Sequence, residues 1–303
     1  MFPTKFPILL AGMNPVSDVN LAVACYQAGM MPTLCGFIYY RNGNLNNALF
    51  DIGLTEYVQR TGASNVIPSL GGQDIENEDT LKILVKHTIQ YVELIEGVDE
   101  ESWPNIKKLC TDNNILPIIK ILHYKEILNG FNTVMLKGPT GAGRGNFDNL
   151  SLDDVFDTIK SKHPNINIIV SGGIGTGADI EKYLNKGAVA VAIGTLFAAT
   201  KESCVSDATK QKMVESKSSD ITRLGDAKQN AIVFSVLPED DYNNTKSIRL
   251  GIRSPNQGHI FSGNAIDQVN SISTVNTVLT NLLKDTRYEK NYTTTDSFSF
   301  PTA

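Results

Sequence analysis

The chain has 303 residues, 41% of them hydrophobic and 19% charged, with a net charge of −5. That length buries a large core and suits an α/β barrel running as one domain. The acidic balance and the lack of any long basic run exclude nucleic acid and anionic membrane as expected partners.

The N-terminal apolar stretch is too short and too soon broken for a signal peptide, and no later run approaches a membrane span, so a cytoplasmic location is expected. Strands are predicted at Ile8–Ala11, Met31–Cys35, Asn65–Ser69, Tyr91–Ile95, Pro117–Leu122, Thr133–Lys137, Ile168–Ser171 and Ala188–Ile193. Between them, Val19–Gln27, Thr80–Thr88, Trp103–Asp112, Leu152–Lys160 and Ile180–Asn185 carry apolar residues at helical spacing. Arg41–Phe50 is asparagine-rich and reads as a loop. Strand–helix repetition of this kind implies a parallel sheet. Eight units fit a closed (β/α)8 barrel, a TIM barrel, with a doubly wound open sheet as the alternative. Cys25, Cys35, Cys110 and Cys204 show no Cys-x-x-Cys or zinc spacing and read as reduced thiols.

The pattern changes after Thr200. Residues 1–202 form the expected barrel and 203–262 an irregular excursion over it, with a helix at Asp207–Lys217 and an apolar run at Ala231–Leu237. Residues 263–285 regain helical periodicity as a closing helix, and 286–303 read as a flexible tail. Lys210 and Lys212 are expected to be solvated.

The strongest local signal is the segment from Ile168 to Thr200. A strand ends in Ser171-Gly172-Gly173-Ile174-Gly175-Thr176-Gly177 and enters a helix; the next strand ends in Gly194-Thr195 and enters another. Glycines at such turns let backbone N–H groups point at an anion, and a following helix adds its positive end. Two in tandem predict a phosphate grip at the C-terminal face of a barrel.

Lys120 interrupts one apolar strand and Glu93 its neighbour. On adjacent strands each needs a partner, since an isolated buried charge is costly. Glu93 is expected to be structural. His123, just after the fifth strand, lies near the active face; His259 falls in the excursion and is a lesser candidate, folded over the mouth. His87 and His163 read as helix-end residues.

Three runs, ILLAGM near the N-terminus, KGPTGAGRG at Lys137–Gly145 and the whole of Ser171–Ser203, resemble the nitronate monooxygenase (2-nitropropane dioxygenase) family. The similarity runs from Ile8 to Ser203 and resumes at Ser262–Ile272. Flavin-dependent enoyl-ACP reductases are related to that family. Barrels of the inosine-monophosphate dehydrogenase type share the glycine layout, but their cysteine-bearing catalytic loop is not evident here.

The resemblance implies FMN, with its phosphate on Gly172, Gly173, Gly194 and Thr195 and with Ser171 beside them. It places Ala11, Gly12 and Met13 along the isoalloxazine ring, and Ser69 where the family usually has a flavin-contacting asparagine. Lys120 is expected at the pyrimidine edge of the ring, where a cation favours the reduced anion. Lys137 and Gly143 are expected to contact the ring or the ribityl chain. The family's Thr-x-Glu-Ser signature appears as Thr200–Ser203, read as helix termination supporting the mouth.

One departure bears on the chemistry. The family's loop after strand six carries Glu-Ala-Gly-Gly-His, whose histidine exchanges the substrate proton; here the run is Thr140-Gly141-Ala142-Gly143-Arg144. Arginine stays protonated and cannot act as a general base. Arg144 is therefore expected to bind an anionic substrate or stabilise reduced flavin, and His123 is the candidate replacement base. The implied activity is oxidation of a nitronate or similar small anion by oxygen. Two alternatives are an NAD(P)H-dependent flavin reductase of enoyl thioesters or quinones and a flavin-binding protein that has lost turnover.

Overall fold

A computed structural model describes residues 2–95, 100–121, 130–144, 150–224, 229–232, 251–256, 258–284 and 286–289. All eight predicted barrel strands form: β1 (Ile8–Leu10), β2 (Thr33–Cys35), β3 (Ile67–Gly71), β4 (Tyr91–Ile95), β5 (Leu116–Ile121), β6 (Thr133–Lys137), β7 (Asn167–Ser171) and β8 (Ala190–Ile193). Each pairs in parallel with its neighbours in chain order from β2 to β8, and β8 pairs with β1. The ring closes where Leu9 bridges Met31: Leu10 N donates to the Met31 carbonyl at 2.9 Å, and Met31 N to that of Ile8 at 3.0 Å. A doubly wound sheet has two free edges, which this ring lacks, so the fold is the (β/α)8 barrel.

Side chains alternate along each strand, so every strand feeds two cores. Leu9, Met31, Ile67, Ile118, Met135 and Ile169 fill the barrel, while Ile8, Leu34, Val92, Ile119, Val134 and Val170 pack against the helices. Burial on both faces explains why the strands read as nearly unbroken apolar runs. Following the inward positions two by two toward the C-terminal ends brings up a different set: Ser69, Glu93, Lys120, Lys137 and Ser171. The polar exceptions thus collect in one layer at the mouth.

Six helices of two turns or more are described in the β/α units, α1 (Val19–Gln27), α2 (Asn47–Thr61), α3 (Glu78–Lys86), α4 (Trp103–Asp112), α5 (Leu152–Lys162) and α6 (Gly177–Asn185), with a single helical turn at Gly72–Ile75 after β3. The loop reading of Arg41–Phe50 is overturned. Tyr40–Arg41 and Asn44–Leu45 pair around Asn42 and Gly43, both at positive φ, as a hairpin. Asn46 then caps α2 by accepting from Leu49 N at 3.0 Å, and Phe50, Leu54 and Tyr57 bury one face of that helix. The asparagines that suggested a loop are turn and cap residues.

After β8 come α7 (Thr195–Ala198), α8 (Asp207–Glu215) and α9 (Val275–Leu283). A small antiparallel sheet joins Ile221–Leu224, Gln229–Ile232 and Ile260–Phe261, and Gly143–Arg144 pairs onto its middle strand. Val275 N, in the first turn of α9, donates to both carboxylate oxygens of Glu202 at 3.1 Å, so Glu202 of the Thr200–Ser203 run anchors the closing helix. Lys210 is not solvated as expected: it is buried, and its ammonium donates to the Ser203 carbonyl at 3.0 Å. Arg287, at the start of the predicted tail, is docked on the barrel through a forked ion pair with Glu181 at 3.0 Å. Among the described residues no helix is long and apolar enough to cross a membrane.

Candidate functional site

A cavity of about 440 Å³ lies at the C-terminal ends of the strands. The barrel contributes Gly12 and Met13 after β1, Gly71 at the end of β3 and Gln73 after it, Ile95, Lys120, Lys137, and Thr195 after β8. The loop after β6 adds Ala142 and Gly143, and the excursion adds Val205, Met213, Ile252, Ile260 and Phe261. Most of this lining is apolar, with the two lysines as its charged members.

The glycine turn after β7 is built for close approach. Gly172 and Gly173 sit at φ +86° and +87°, a region L-residues rarely enter. A side-chain carbon on Gly172 would stand 3.0 Å from Gly138 N and 3.1 Å from Gly141 Cα, and one on Gly173 would collide with the Thr140 hydroxyl. Across from them Gly194 leaves room for Met13, whose sulfur would lie 3.0 Å from a side-chain carbon there. Ser171 is buried, and its carbonyl accepts from Gly138 N at 2.8 Å. Thr195 Oγ1 accepts from Gly263 N at 3.2 Å, which ties this corner to the closing segment.

One part of the expected grip is corrected. The N-terminus of α6 is already occupied by Asp179, which accepts from Gly175 N at 3.1 Å, Thr176 N at 2.9 Å and Thr176 Oγ1 at 2.8 Å. Asp179 N returns a bond to Thr176 Oγ1 at 3.1 Å, completing a capping box. A carboxylate there offsets the helix dipole, so α6 has no positive end to offer. What is left of the expected grip is the Gly172–Gly173 turn and Gly194–Thr195. Thr176-x-x-Asp179 was the sequence signal for this.

At the barrel end of the cavity, Lys120 Nζ donates to Glu93 Oε1 at 2.9 Å, and both residues are buried. Ser69 Oγ donates to the same oxygen at 3.0 Å, so this hydroxyl is turned to Glu93 and lies beneath Gly12. A side-chain carbon at Gly12 would stand 2.9 Å from Ser69 Oγ and 3.0 Å from Glu93 Oε1; only glycine lets the chain run over this cluster. Ala11 is buried beside it in the barrel interior. Burial pushes the neighbouring Cys35 thiol up to about 12, with the Glu93 charge adding to the effect.

Lys137 donates to the Ala142 carbonyl and so holds down the loop that leads to Arg144. That loop ends in Gly143, at φ +67°, and Arg144, whose backbone pairs with Gln229. On the opposite rim, Tyr40 Oη and Gly71 N both donate to Asp74 Oδ2, the latter at 2.9 Å, and burial holds this carboxyl above its ordinary range. His123 lies outside the described residues. His259 is buried next to Phe261, with ring centroids 5.2 Å apart, and its burial lowers the imidazole below its ordinary value. His87 and His163 end α3 and α5 as expected. Reading the sequence missed the apolar wall formed by Val205, Met213 and Ile252. The helical pattern at Asp207–Lys217 was visible, but nothing in it said which face turns to the barrel.

Among solved structures, FabK from Thermotoga maritima superposes with a TM-score of 0.78 at 18% identity, over 96% of this chain and 94% of its own. Nitroalkane oxidase from Streptomyces ansochromogenes gives 0.74 at 15% identity, over 95% and 98%. The enoyl reductase domain of MlnA from Bacillus amyloliquefaciens gives 0.60 at 12%, over 82% and 72%. At such identities these likenesses carry the fold alone, and no curated protein matches the sequence. A family model described as nitronate monooxygenase matches residues 121–285, more than half of the chain, which takes in the glycine turn, the cavity wall and the closing helix. The chain belongs to the nitronate monooxygenase family of flavin-dependent oxidoreductases.

Proposed function

We propose that the cavity holds FMN and that the chain oxidises a small anionic substrate of the nitronate type with oxygen. The observation that carries this is a largely apolar cavity at the barrel mouth in which Gly12, Met13 and Thr195 lie beside two ammonium groups, Lys120 and Lys137. Gly172 and Gly173 hold the turn after β7 at left-handed φ with the loop at Thr140 and Gly141 packed on it, and the phosphate is assigned to this corner beside Gly194 and Thr195. Gly12 brings backbone close to where a flat ring lies, and Lys120 stands at its charged edge. These residues fit the cofactor.

Bound there, FMN would supply the redox chemistry that links a substrate to oxygen. The protein's own part is to bind, orient and exclude water. Gly172, Gly173, Gly194 and Thr195 hold the phosphate, with Ser171 beneath the turn. Ala11, Gly12 and Met13 flank the ring, and Lys137 fixes the loop through Gly143 over it. Arg144 supplies a permanent positive charge for an anionic headgroup. A nitronate arrives already ionised, so its oxidation needs no proton abstraction and the arginine is compatible with it. Val205, Met213 and Ile252 keep the reacting centre dry.

The same apolar wall suits an acyl chain, which favours a second reading as an NAD(P)H-dependent reductase of enoyl thioesters or quinones. Anaerobic mixing separates the readings. Bleaching of the FMN-loaded protein by propionate 3-nitronate supports the oxidase; bleaching by NADH or NADPH alone supports the reductase. Bound flavin that neither reagent reduces points to a flavin-binding protein without turnover, and a chain that binds no flavin refutes the proposal.

A further inference from the structure

The cavity's inner cation does not stand alone. Lys120 Nζ is 2.9 Å from Glu93 Oε1, and Glu93 is fully buried with Ser69 Oγ on the same oxygen at 3.0 Å. Its other oxygen, Oε2, has no hydrogen-bond partner among the described residues. Lys120 lines the cavity; Glu93 does not, and is separated from it by Gly12. A carboxylate sunk this far is costly unless its charge is compensated, and Lys120 is the cation that compensates it.

We infer that Glu93 is a positioning residue that sets the electrostatic strength of Lys120 toward the flavin, lowering the cofactor's reduction potential. The inference rests on the FMN reading of the cavity. A lone ammonium at the pyrimidine edge stabilises the extra negative charge of reduced flavin. An ammonium shared with a buried carboxylate stabilises it less, because the pair is neutral overall and part of its field is directed at Glu93. Glu93 also fixes where the ammonium sits, since the carboxylate is itself held by Ser69. A flavin of lower potential is the stronger electron donor to oxygen once reduced, so this arrangement suits a flavin that must be reoxidised after each turnover.

The test is the potential of bound FMN in wild type, Glu93→Gln, Lys120→Gln and the double variant, together with the affinity for sulfite, whose flavin adduct is strengthened by positive charge at the same edge. Glu93→Gln is expected to bind reduced over oxidised FMN about tenfold more strongly than wild type, a rise of about 30 mV for a two-electron couple, and to bind sulfite more tightly. Lys120→Gln is expected to shift both the other way, and the double variant to return close to wild type. If Glu93→Gln does not fold, Lys120→Gln compared with the double variant still reads the carboxylate, which is expected to lower the potential in the single variant. A potential that ignores Glu93, or that falls in Glu93→Gln, overturns the inference and leaves the FMN reading intact. Failure of the wild-type chain to bind FMN overturns both.

Discussion

The amide of Gly138 donates to the carbonyl of Ser171 at 2.8 Å, and this bond lays the loop after β6 across the glycine turn after β7. The contact is backbone on backbone, so neither side can yield to an added side chain. Gly172→Ala therefore meets Gly138 N at 3.0 Å and Gly141 Cα at 3.1 Å while forced into left-handed φ. The backbone strain alone costs about 1–2 kcal/mol. We expect lower thermal stability and at least a tenfold weaker FMN affinity by fluorescence titration. Gly187→Ala is the control, because its φ is +96° but its nearest neighbour is the end of the Lys160 side chain at 3.9 Å. It should lose stability and keep FMN. Equal FMN affinity in both variants would remove the glycine turn from the site.

Gly12 tests the other end of the cavity. An alanine there meets Ser69 Oγ at 2.9 Å and Ser69 Cβ at 3.0 Å, so the chain must lift toward the ring. Overpacking of this kind costs about 1–3 kcal/mol. Gly12→Ala should weaken FMN binding, and Ser69→Gly in the same chain should recover part of it by clearing both atoms. Lack of any recovery in the double variant means that the lost affinity has another cause.

His259 gives a pH dependence. Burial lowers its value in the folded chain below the ordinary 6.5, so the unfolded chain binds the proton more readily. The stability that comes from keeping the ring neutral is complete above pH 6.5 and is lost as pH falls from there through the lowered folded value. The slope is at most about 1.4 kcal/mol per pH unit. Urea unfolding at pH 7.5 and 5.5 should show wild type weaker at the lower pH, with a smaller difference in His259→Gln. An unchanged difference would assign the loss to other groups.

The barrel was legible because each strand is buried on both faces and so carries a continuous apolar run that short helices punctuate. Even the mouth was partly legible: Glu93 and Lys120 stood out as charges inside such runs, and the register sets Lys120 two residues on from the position opposite Glu93, on the same inner face. The structure added that Ser69, read as a flavin contact, spends its hydroxyl on Glu93. It also showed Asp179 filling the N-terminus of α6, which competes with the glycine signal at Gly172–Gly177. The excursion was opaque for another reason. Met213 and Ile252 are too sparse among polar residues to reveal a face, and they meet at the cavity only through tertiary packing.

Arg144 carries the last and most consequential prediction. Its main chain belongs to the small sheet through Gln229, next to Gly143, which lines the cavity. Truncating the side chain leaves that backbone pairing in place. If the guanidinium binds the substrate's charge, Arg144→Ala removes a charge-assisted hydrogen bond of about 1.5–3 kcal/mol, and KM for propionate 3-nitronate rises roughly 10- to 150-fold. FMN affinity and thermal stability should stay near wild type, and Arg144→Lys should retain part of the binding because it keeps the charge but not the fork. If Arg144 stands where the family's proton-exchanging histidine does, Arg144→His should gain most with neutral nitroalkanes, whose carbon acid must first be deprotonated. An Arg144→Ala variant with unchanged KM and lowered stability would show that the arginine supports the loop instead of the substrate.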